Sequence, residues 1–312
     1  MLALLLGCAG LDSTDTAEPT CPDTEWVSIS AGDGLACGVH VDGCLECWGR
    51  HTMDPPHAGR RGYTGDEHPP EGMQFSAVTL PSGGEELGLH ACGLQQDGAA
   101  LCWGADQYGQ SSVKGGPYVE LAAHEFATCG RTVRGSIQCW GDEAMLRGVP
   151  DDSGWSALSA TKTHFCGAHA NGRVRCWQGP GEPFFEIELE NVEAVSAAVS
   201  GVHVVRGGHS MYFYGDGGEA TRYTAGDVRD LPSDVVHADG DLCVLTTAGE
   251  LACDPREAAI ADPPDGSFTG LSCGPSFCCA IRDDGHLKCW GLWEDLEDHW
   301  KHALFDIPGS YD

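Results

Sequence analysis

The sequence repeats one short phrase seven times, and this repetition constrains the fold more than any other feature. In its full form the phrase is a cysteine, nine further residues, and a second cysteine followed by Trp-Gly. The second cysteine or its equivalent falls at positions 47, 102, 139, 176, 213, 253 and 289. The intervals are therefore 55, 37, 37, 37, 40 and 36 residues. A period in this range is typical of architectures in which each repeat is one supersecondary unit.

Short segments with the pattern of β-strands accompany each phrase. Alternating segments such as 26–30, 75–78, 118–121, 155–158 and 268–271 precede the phrase and read as an additional strand of the unit. The 44 glycines and 17 prolines also favour short strands joined by turns. The period and the strands together indicate propeller blades or a solenoid, not a helical array.

The two cysteines of a phrase are expected to face each other across a hairpin. Six phrases have a glycine six residues after the first cysteine, at Gly43, Gly98, Gly135, Gly172, Gly249 and Gly285. A three-residue hairpin loop places its last residue in the left-handed region, which glycine adopts without steric cost. Such a loop brings the two cysteines opposite each other, within the distance that a disulfide can span.

This geometry predicts one disulfide in each of six repeats. The predicted pairs are Cys37 with Cys47, Cys92 with Cys102, Cys129 with Cys139, Cys166 with Cys176, Cys243 with Cys253, and Cys279 with Cys289. The fifth repeat, aligned as 204–213, lacks both cysteines together, as expected of residues that act in pairs. The alternatives are small buried thiols or zinc ligands, but structural zinc sites require four clustered ligands.

Four cysteines lie outside these hairpins and the N-terminal segment, namely Cys21, Cys44, Cys273 and Cys278. Their even number permits two further bridges, for which we predict Cys21 with Cys44 and Cys273 with Cys278, although spacing alone does not determine connectivity. Seventeen cysteines in a chain of 312 residues indicate an oxidising compartment.

The closing part of the second repeat carries a family resemblance. Residues 101–110, Leu-Cys-Trp-Gly-Ala-Asp-Gln-Tyr-Gly-Gln, resemble the Trp-Gly and Gly-Gln motif of the regulator-of-chromosome-condensation repeat family. The resemblance extends over residues 26–291, although the fifth repeat lacks cysteines and Asp254 replaces the usual Trp in the sixth. It implies an all-β, seven-bladed β-propeller that acts as a binding platform. The family's nuclear member engages a small GTPase and chromatin, and a bacterial look-alike inhibits β-lactamases; neither activity transfers to this chain.

The N-terminal residues resemble a bacterial lipoprotein signal. Residues 1–8 end in Leu-Leu-Gly-Cys, so Cys8 is the candidate for lipidation, although the apolar run is shorter than usual and a basic segment is missing. A disordered tail with a chance match is the alternative. Residues 9–25 read as a flexible tether. By analogy with lipoprotein sorting, Ala9 favours an outer-membrane lipoprotein, or otherwise a secreted protein, whose sole membrane link is the lipid.

Charge and motifs exclude several functional classes. The formal net charge of −30 makes nucleic acid a poor partner, because binding phosphates requires a cationic surface. Nucleophile-elbow, phosphate-loop and metalloprotease motifs are missing from the sequence. His90, His124 and His164 recur near one position of the repeat and are interpreted as structural rather than metal ligands. We therefore expect no metal, no cofactor and no catalytic residues.

Two segments stand outside the regular repeat. An insertion of about 18 residues near 50–72 provides a candidate binding loop, because long loops on rigid scaffolds commonly carry function. Residues 292–312 are predicted to close the ring as a strand of the last blade. The residues of the candidate loop are Arg50, His57, Arg60, Arg61 and Tyr63.

These expectations describe a protein of the bacterial cell envelope. We expect a lipid-anchored, monomeric propeller that serves as a scaffold for an unknown protein or glycan, and not an enzyme. The alternative is a lyase or glycosidase type of propeller enzyme, which would require several carboxylates to converge in the central channel.

Overall fold

The computed structural model describes most of the repeat region in detail. Within its described residues the regular secondary structure is β-strand, apart from a short 3-10 turn at Met145–Gly148, and none of its helices could span a membrane. The described residues are 21, 25–32, 35–49, 72–82, 90–178, 185–198, 201–207, 209–214, 221–223, 235–239, 243–253, 262–275 and 277–291.

The strands form seven separate antiparallel sheets, in which neighbours along the chain pair with each other. In chain order these seven blades consist of β1 (Trp26–Ala31), β2 (Leu35–His40) and β3 (Leu45–Gly49); β4 (Ala77–Thr79), β5 (His90–Leu94) and β6 (Ala100–Gly104); β7 (Tyr118–His124), β8 (Ala127–Thr132) and β9 (Ile137–Gly141); β10 (Trp155–Ala160), β11 (Phe165–His169), β12 (Arg173–Trp177) and β13 (Phe185–Glu188); β14 (Val192–Ala198), β15 (Gly201–Arg206), β16 (His209–Tyr214) and β17 (Thr221–Tyr223); β18 (Val235–Asp239), β19 (Cys243–Thr246) and β20 (Leu251–Cys253); and β21 (Phe268–Cys273), β22 (Phe277–Arg282) and β23 (Leu287–Gly291).

The seven blades form a closed ring, because the first blade packs against the seventh. Trp26 and Trp48 of blade one share a buried apolar cluster with Phe277 and Leu287 of blade seven. The Trp26 N–H also donates to the Gly285 carbonyl of blade seven at 2.9 Å. The prediction of an all-β, seven-bladed propeller is confirmed. Among the described residues, packing of blade one on blade seven closes the ring; the predicted closing segment 292–312 lies outside them.

The first strand of each blade packs against the first strands of its neighbours at the centre of the ring. Residues of these strands from six blades line a central channel with a volume of about 390 Å³. Most of the lining side chains are serine, threonine and alanine. Small side chains suit this position, since seven strands converge there and leave little room between blades.

In blades one to four the core begins with an aromatic residue packed flat against the glycine that follows the first cysteine. Trp26 covers Gly38, and the same arrangement recurs between Tyr118 and Gly130 and, in blade two, at Phe75. A Cβ atom on these glycines would collide with the aromatic ring. The Cys-Gly dipeptide of the repeat is therefore a packing requirement.

Blade five differs from the sequence alignment of the repeat. The alignment places Val204 opposite position 213, but in the structure Val204 pairs with Met211 and His203 pairs with Tyr212. The hairpin turns between Arg206 and His209, so its loop has two residues rather than three. A Gly-Gly pair favours such a two-residue turn, which shifts the register. The predicted correspondence in this repeat is therefore wrong.

Candidate functional site

The six cysteine pairs of the hairpins are disulfide-bonded in the structure. In each hairpin the two cysteines are register partners, with Cα atoms 4.0 or 4.1 Å apart. The glycine six residues after the first cysteine has a positive φ in all six hairpins, between 74° and 95°. The disulfides are Cys37–Cys47, Cys92–Cys102, Cys129–Cys139, Cys166–Cys176, Cys243–Cys253 and Cys279–Cys289.

Two further disulfides join cysteines outside the hairpin positions. Cys21 is bonded to Cys44, and Cys273 is bonded to Cys278 within blade seven. The Cys278 sulfur lies 3.7 Å from that of Cys243, so the bridges of blades six and seven are in contact. Three clusters of cysteine with histidine, cysteine or glutamate have metal-like spacing among the described residues. Their cysteines all belong to disulfides and so do not offer thiolate ligands.

The recurring histidines connect one blade to the next. His90 lies 2.7 Å from the Thr128 hydroxyl of blade three, and His164 lies 2.9 Å from the Gly201 carbonyl of blade five. Because a carbonyl only accepts hydrogen bonds, Nε2 of His164 carries the proton and donates it. His124 stacks on Phe165 of blade four. These contacts between blades agree with the structural interpretation of the three histidines.

Burial keeps two of these histidines neutral. It lowers the pKa of His124 to about 4, with further lowering by the nearby His164 and His90. Burial likewise lowers the pKa of His164 to about 4, although its bond to Gly201 opposes this effect. Both side chains are almost fully inaccessible to solvent, which makes the charged form costly.

The wall of the channel contains a regular set of hydrogen bonds between blades, which we call the hydroxyl girdle. In each, a serine or threonine on the first strand of one blade accepts from a backbone N–H of the next blade. Sequence reasoning missed this feature, although a serine seven residues before the first cysteine signals it in three repeats. The four pairs, each given as the accepting hydroxyl and the donating backbone N–H, are Ser272 and Ala31 (3.0 Å), Ser30 and Leu80 (2.9 Å), Thr79 and Ala123 (3.3 Å), and Ser159 and Ala197 (2.9 Å).

Two carboxylates are among the residues lining the described channel. Burial raises the pKa of Glu120, while Arg131, whose Nε lies 2.6 Å from the carboxylate, opposes this increase. Glu193 accepts a hydrogen bond from the Gly207 N–H at 2.9 Å. Glu120 is therefore committed to an ion pair, and Glu193 is the more exposed of the two carboxylates.

The hairpin loops and the starts of the first strands share one face of the ring, which we call the hairpin face. The Gly43 carbonyl accepts from the Phe75 N–H of the next blade at 2.8 Å. Gly98 accepts from Tyr118, and Gly285 from Trp26, in the same way. Each loop therefore lies beside the start of the following blade, so the face is continuous.

A bulge recurs near the start of the first strand on this face. In blade one the pairing shifts between Trp26 and Ser28, so Val27 is the extra residue, and its side chain is exposed. Five other blades have the same shift at the same position. A bulge leaves one residue outside the regular alternation and re-aims its side chain.

Several predicted site residues lie outside the described part of the chain. They are the lipidation candidate Cys8, the tether apart from Cys21 and Glu25, and the candidate loop of Arg50, His57, Arg60, Arg61 and Tyr63. The tryptophans of the Cys-Trp-Gly units are described. Trp140 and Trp177 are fully buried, and Trp48 and Trp103 nearly so, which assigns these four side chains to packing in the core, whereas Trp290 is half-buried.

The closed ring of seven small antiparallel sheets defines a β-propeller. Residues 268–292 match the sequence model of the regulator of chromosome condensation (RCC1) repeat, which confirms the predicted resemblance in that repeat. No curated protein sequence matches the chain.

Solved structures with a similar fold include plant and yeast proteins. The CRINKLY WD40 ectodomain of the Arabidopsis thaliana receptor kinase ACR4 is 21% identical, with a TM-score of 0.56 over 86% of this chain and 95% of that one. The ectodomain of the Physcomitrella patens receptor kinase CR4 is 18% identical, with a TM-score of 0.53 over 85% and 72%. Yeast RCC1 (Prp20), crystallised with Kap60, is 15% identical, with a TM-score of 0.51 over 65% and 68%. These likenesses establish the fold.

Proposed function

We propose that this protein is an extracytoplasmic, lipid-anchored monomer that binds a protein or glycan of the cell envelope. The observation that carries the proposal is the set of eight disulfides in a closed ring of blades. Bridges at this density persist in oxidising compartments. They pair every cysteine except Cys8, the residue that follows Leu-Leu-Gly at the N-terminus.

The fold is consistent with a protein-binding scaffold. Disulfides and bonds between blades hold the ring, and loops from its blades meet on one face. Loops positioned by a rigid scaffold are the usual location of binding residues. A propeller of similar fold, yeast RCC1, was crystallised with the protein Kap60, which supports a role in protein binding here.

The arrangement of the channel favours binding over catalysis. Paired acid and base catalysis requires two carboxylates in complementary states. Glu120 is bonded to Arg131, which leaves Glu193 as the exposed carboxylate among the described lining residues. We therefore propose that the chain is not an enzyme.

Affinity capture from the native cell envelope tests the binding proposal. The full chain carries a C-terminal tag, and partners are compared with those of a variant lacking residues 51–71. Recovery of a stoichiometric protein or glycan with the full chain supports the proposal, and its absence from repeated captures contradicts it. Loss of the partner from the deletion variant would assign the contact to the insertion, whereas identical partners would exclude the insertion.

The lipid anchor has its own test. Cys8→Ala should abolish incorporation of labelled palmitate and move the protein from the membrane fraction to the soluble fraction, because anchoring depends on the acyl chains. Changing another cysteine to alanine would break a disulfide and is therefore unsuitable as a control. Ser13→Ala, a change in the same N-terminal segment, serves instead. Membrane retention of the Cys8→Ala variant would contradict lipid anchoring.

A further inference from the structure

Exposed aliphatic side chains are concentrated on one part of the hairpin face. Among the described residues six large apolar side chains are exposed, and five of them lie on this face, in blades one to three. The sixth, Tyr108, packs against Phe126 on the opposite face. We call the five residues the apolar arc: Val27 (51% exposed), Val41 (58%), Met73 (45%), Val119 (46%) and Val133 (77%).

Hydrogen bonds between blades make the apolar arc continuous. The Val41 N–H donates to the Glu25 carbonyl at 2.8 Å, which places the first hairpin loop beside the start of β1. Met73 directly precedes the segment that bonds Gly43, and its sulfur lies 3.6 Å from Nε2 of Gln95 in the second loop. The same loop bonds the start of β7, where Val119 lies. These contacts place the segments that carry the apolar arc side by side on three neighbouring blades.

The aliphatic residues of the apolar arc do not serve the fold. At the bulge position blades one, three and six have valine, whereas blades four, five and seven have the polar Ser156, Glu193 and Thr269. At the first loop position the other blades have small or polar residues, namely Gln96, Ala170, Thr247 and Asp283. The fold accepts polar residues at both positions, so valine there needs another explanation. Contiguous exposed apolar groups commonly mark interaction sites.

Carboxylates surround the apolar arc. Glu25, Asp42 and Asp97 are exposed beside it, and Arg134 and Lys114 are exposed cations of the adjoining segments. The local excess of negative charge has the same sign as the net charge of the whole chain. A complementary surface would present apolar side chains flanked by lysine or arginine. An apolar patch with a charged rim has the composition of a protein interface, and the carboxylates repel anionic lipid.

We propose that the apolar arc is the docking surface for a protein partner whose contact segment combines apolar and basic residues. The inference rests on the proposed function and deepens it, because it names the surface and the chemistry of the partner. The two valines at the loop tips, Val41 and Val133, form its most exposed points. The acidic rim orients the partner, and the aliphatic side chains become buried on binding.

A displayed library of random 12-residue peptides provides the probe. The full chain is used for selection, and the enriched peptides are synthesised and measured by fluorescence anisotropy. We expect enrichment of peptides with apolar residues next to lysine or arginine. Their affinity should fall at least tenfold for the double variant Val41→Ser/Val133→Ser, and should weaken as the salt concentration rises. Tyr108→Ser, on the opposite face, is the matched control and should bind as the unmodified chain does.

Three outcomes would overturn the inference. The first is equal peptide affinity for Val41→Ser/Val133→Ser and the unmodified chain. The second is enrichment of acidic or wholly polar peptides. The third is a lack of peptide enrichment, with binding to a glycan array or to phosphatidylglycerol vesicles instead. Serine is compatible with exposed loop positions, and circular dichroism of the double variant checks that it is folded.

Envelope capture with the same double variant separates this inference from the proposed function. Loss of the captured protein from Val41→Ser/Val133→Ser, with retention by Tyr108→Ser, supports the apolar arc. Equal capture by all three chains would refute the arc and leave the scaffold function intact. Failure of the unmodified chain to capture any partner would refute the scaffold function itself.

Discussion

Glycine after the first cysteine and the aromatic residue at the start of the blade depend on each other. Blades one to four combine an aromatic residue with glycine, as in Phe75 with Gly93. Blade five has Val192 and Val204 instead, two side chains of intermediate size. The volume at this point is shared between two residues, because close-packed cores tolerate neither a void nor an overlap.

A double-mutant cycle tests this dependence. Gly93→Ala alone should destabilise the protein by about 1–3 kcal/mol, because its new Cβ overlaps the Phe75 ring. In Phe75→Val/Gly93→Ala the cost should be smaller than the sum of the two single changes, since the valine leaves room for the alanine. Urea unfolding measures each free energy. Gly270→Ala is the control, because its nearest neighbour is the flexible end of Ile281; strict additivity would contradict the model.

The buried histidines should make the protein sensitive to acid. Their pKa values of about 4 lie below the ordinary value of about 6.5, so below pH 6.5 the unfolded chain binds protons that the folded chain does not. Stability is therefore greatest above pH 6.5 and declines as the pH falls towards 4. Each histidine contributes roughly 3 kcal/mol to this decline.

Denaturant unfolding between pH 7 and pH 4 tests the effect. His164→Gln should lose at least half of the pH dependence that these two histidines cause, because glutamine can still donate to the Gly201 carbonyl but does not titrate and no longer lowers the pKa of His124. The exposed His286 provides the control in His286→Gln, which should keep the full dependence. An unchanged slope in His164→Gln would show that other groups determine the acid response.

At the scale of the strand, the hydroxyl girdle explains why the first strands are rich in serine. Blade three does not supply the girdle bond to blade four, because Ala122 stands at the position where blades one, two, four, five and seven have serine or threonine. Blade six has Asp239 at this position. Strands that meet at the channel cannot pair with one another as in a continuous sheet. A hydroxyl group on one strand satisfies a backbone N–H of the next and so joins blades without lengthening either strand.

Changes at two girdle positions should have opposite effects. Ser159→Ala leaves the Ala197 N–H without its acceptor and should cost about 1–3 kcal/mol. Ala122→Ser places a hydroxyl at the missing position and should stabilise the protein by about 0.5–1.5 kcal/mol. Thermal unfolding compares both with Ser156→Ala, a change on the same strand as Ser159 that leaves the girdle intact. Equal effects of the two serine changes would argue against a special role for the girdle.

At the scale of the whole molecule, the described residues close the ring without a covalent link between its ends. Trp26 and Ala31 of blade one bond residues of blade seven and bury a shared cluster. The disulfides lie within single blades or tie the N-terminal segment to blade one. Reduction should therefore weaken individual blades rather than open one long loop.

Alkylation counted by mass spectrometry tests the disulfide framework. The native protein without lipid should react at one cysteine, Cys8, and the reduced and unfolded protein at all 17. A variant with Cys129→Ala and Cys139→Ala should lose two reactive sites after reduction and none before it. Because this change removes one hairpin bridge, we also expect a loss of about 2–3 kcal/mol in stability. Several reactive cysteines in the native protein would contradict the framework.

The sequence alone was sufficient for the blade count and for the hairpin geometry. A ten-residue separation with a glycine at a set position determines which residues face each other, because hairpin pairing is local. The same locality explains the failure in blade five, where Gly207 and its neighbour shorten the loop and move His203 opposite Tyr212. The pairing of Cys273 with Cys278 follows from a similar short hairpin between β21 and β22.

Only the tertiary structure decided which residues meet between blades. The girdle bond between Ser272 and Ala31 joins positions 241 apart, and the apolar arc combines loops from three repeats. These contacts depend on the angle at which successive blades pack, and that angle results from the volumes of all the core side chains together. The spacing of residues within one repeat does not determine this packing angle. The repeat therefore determined each blade, whereas the closed ring determined the channel and the surface available to a partner.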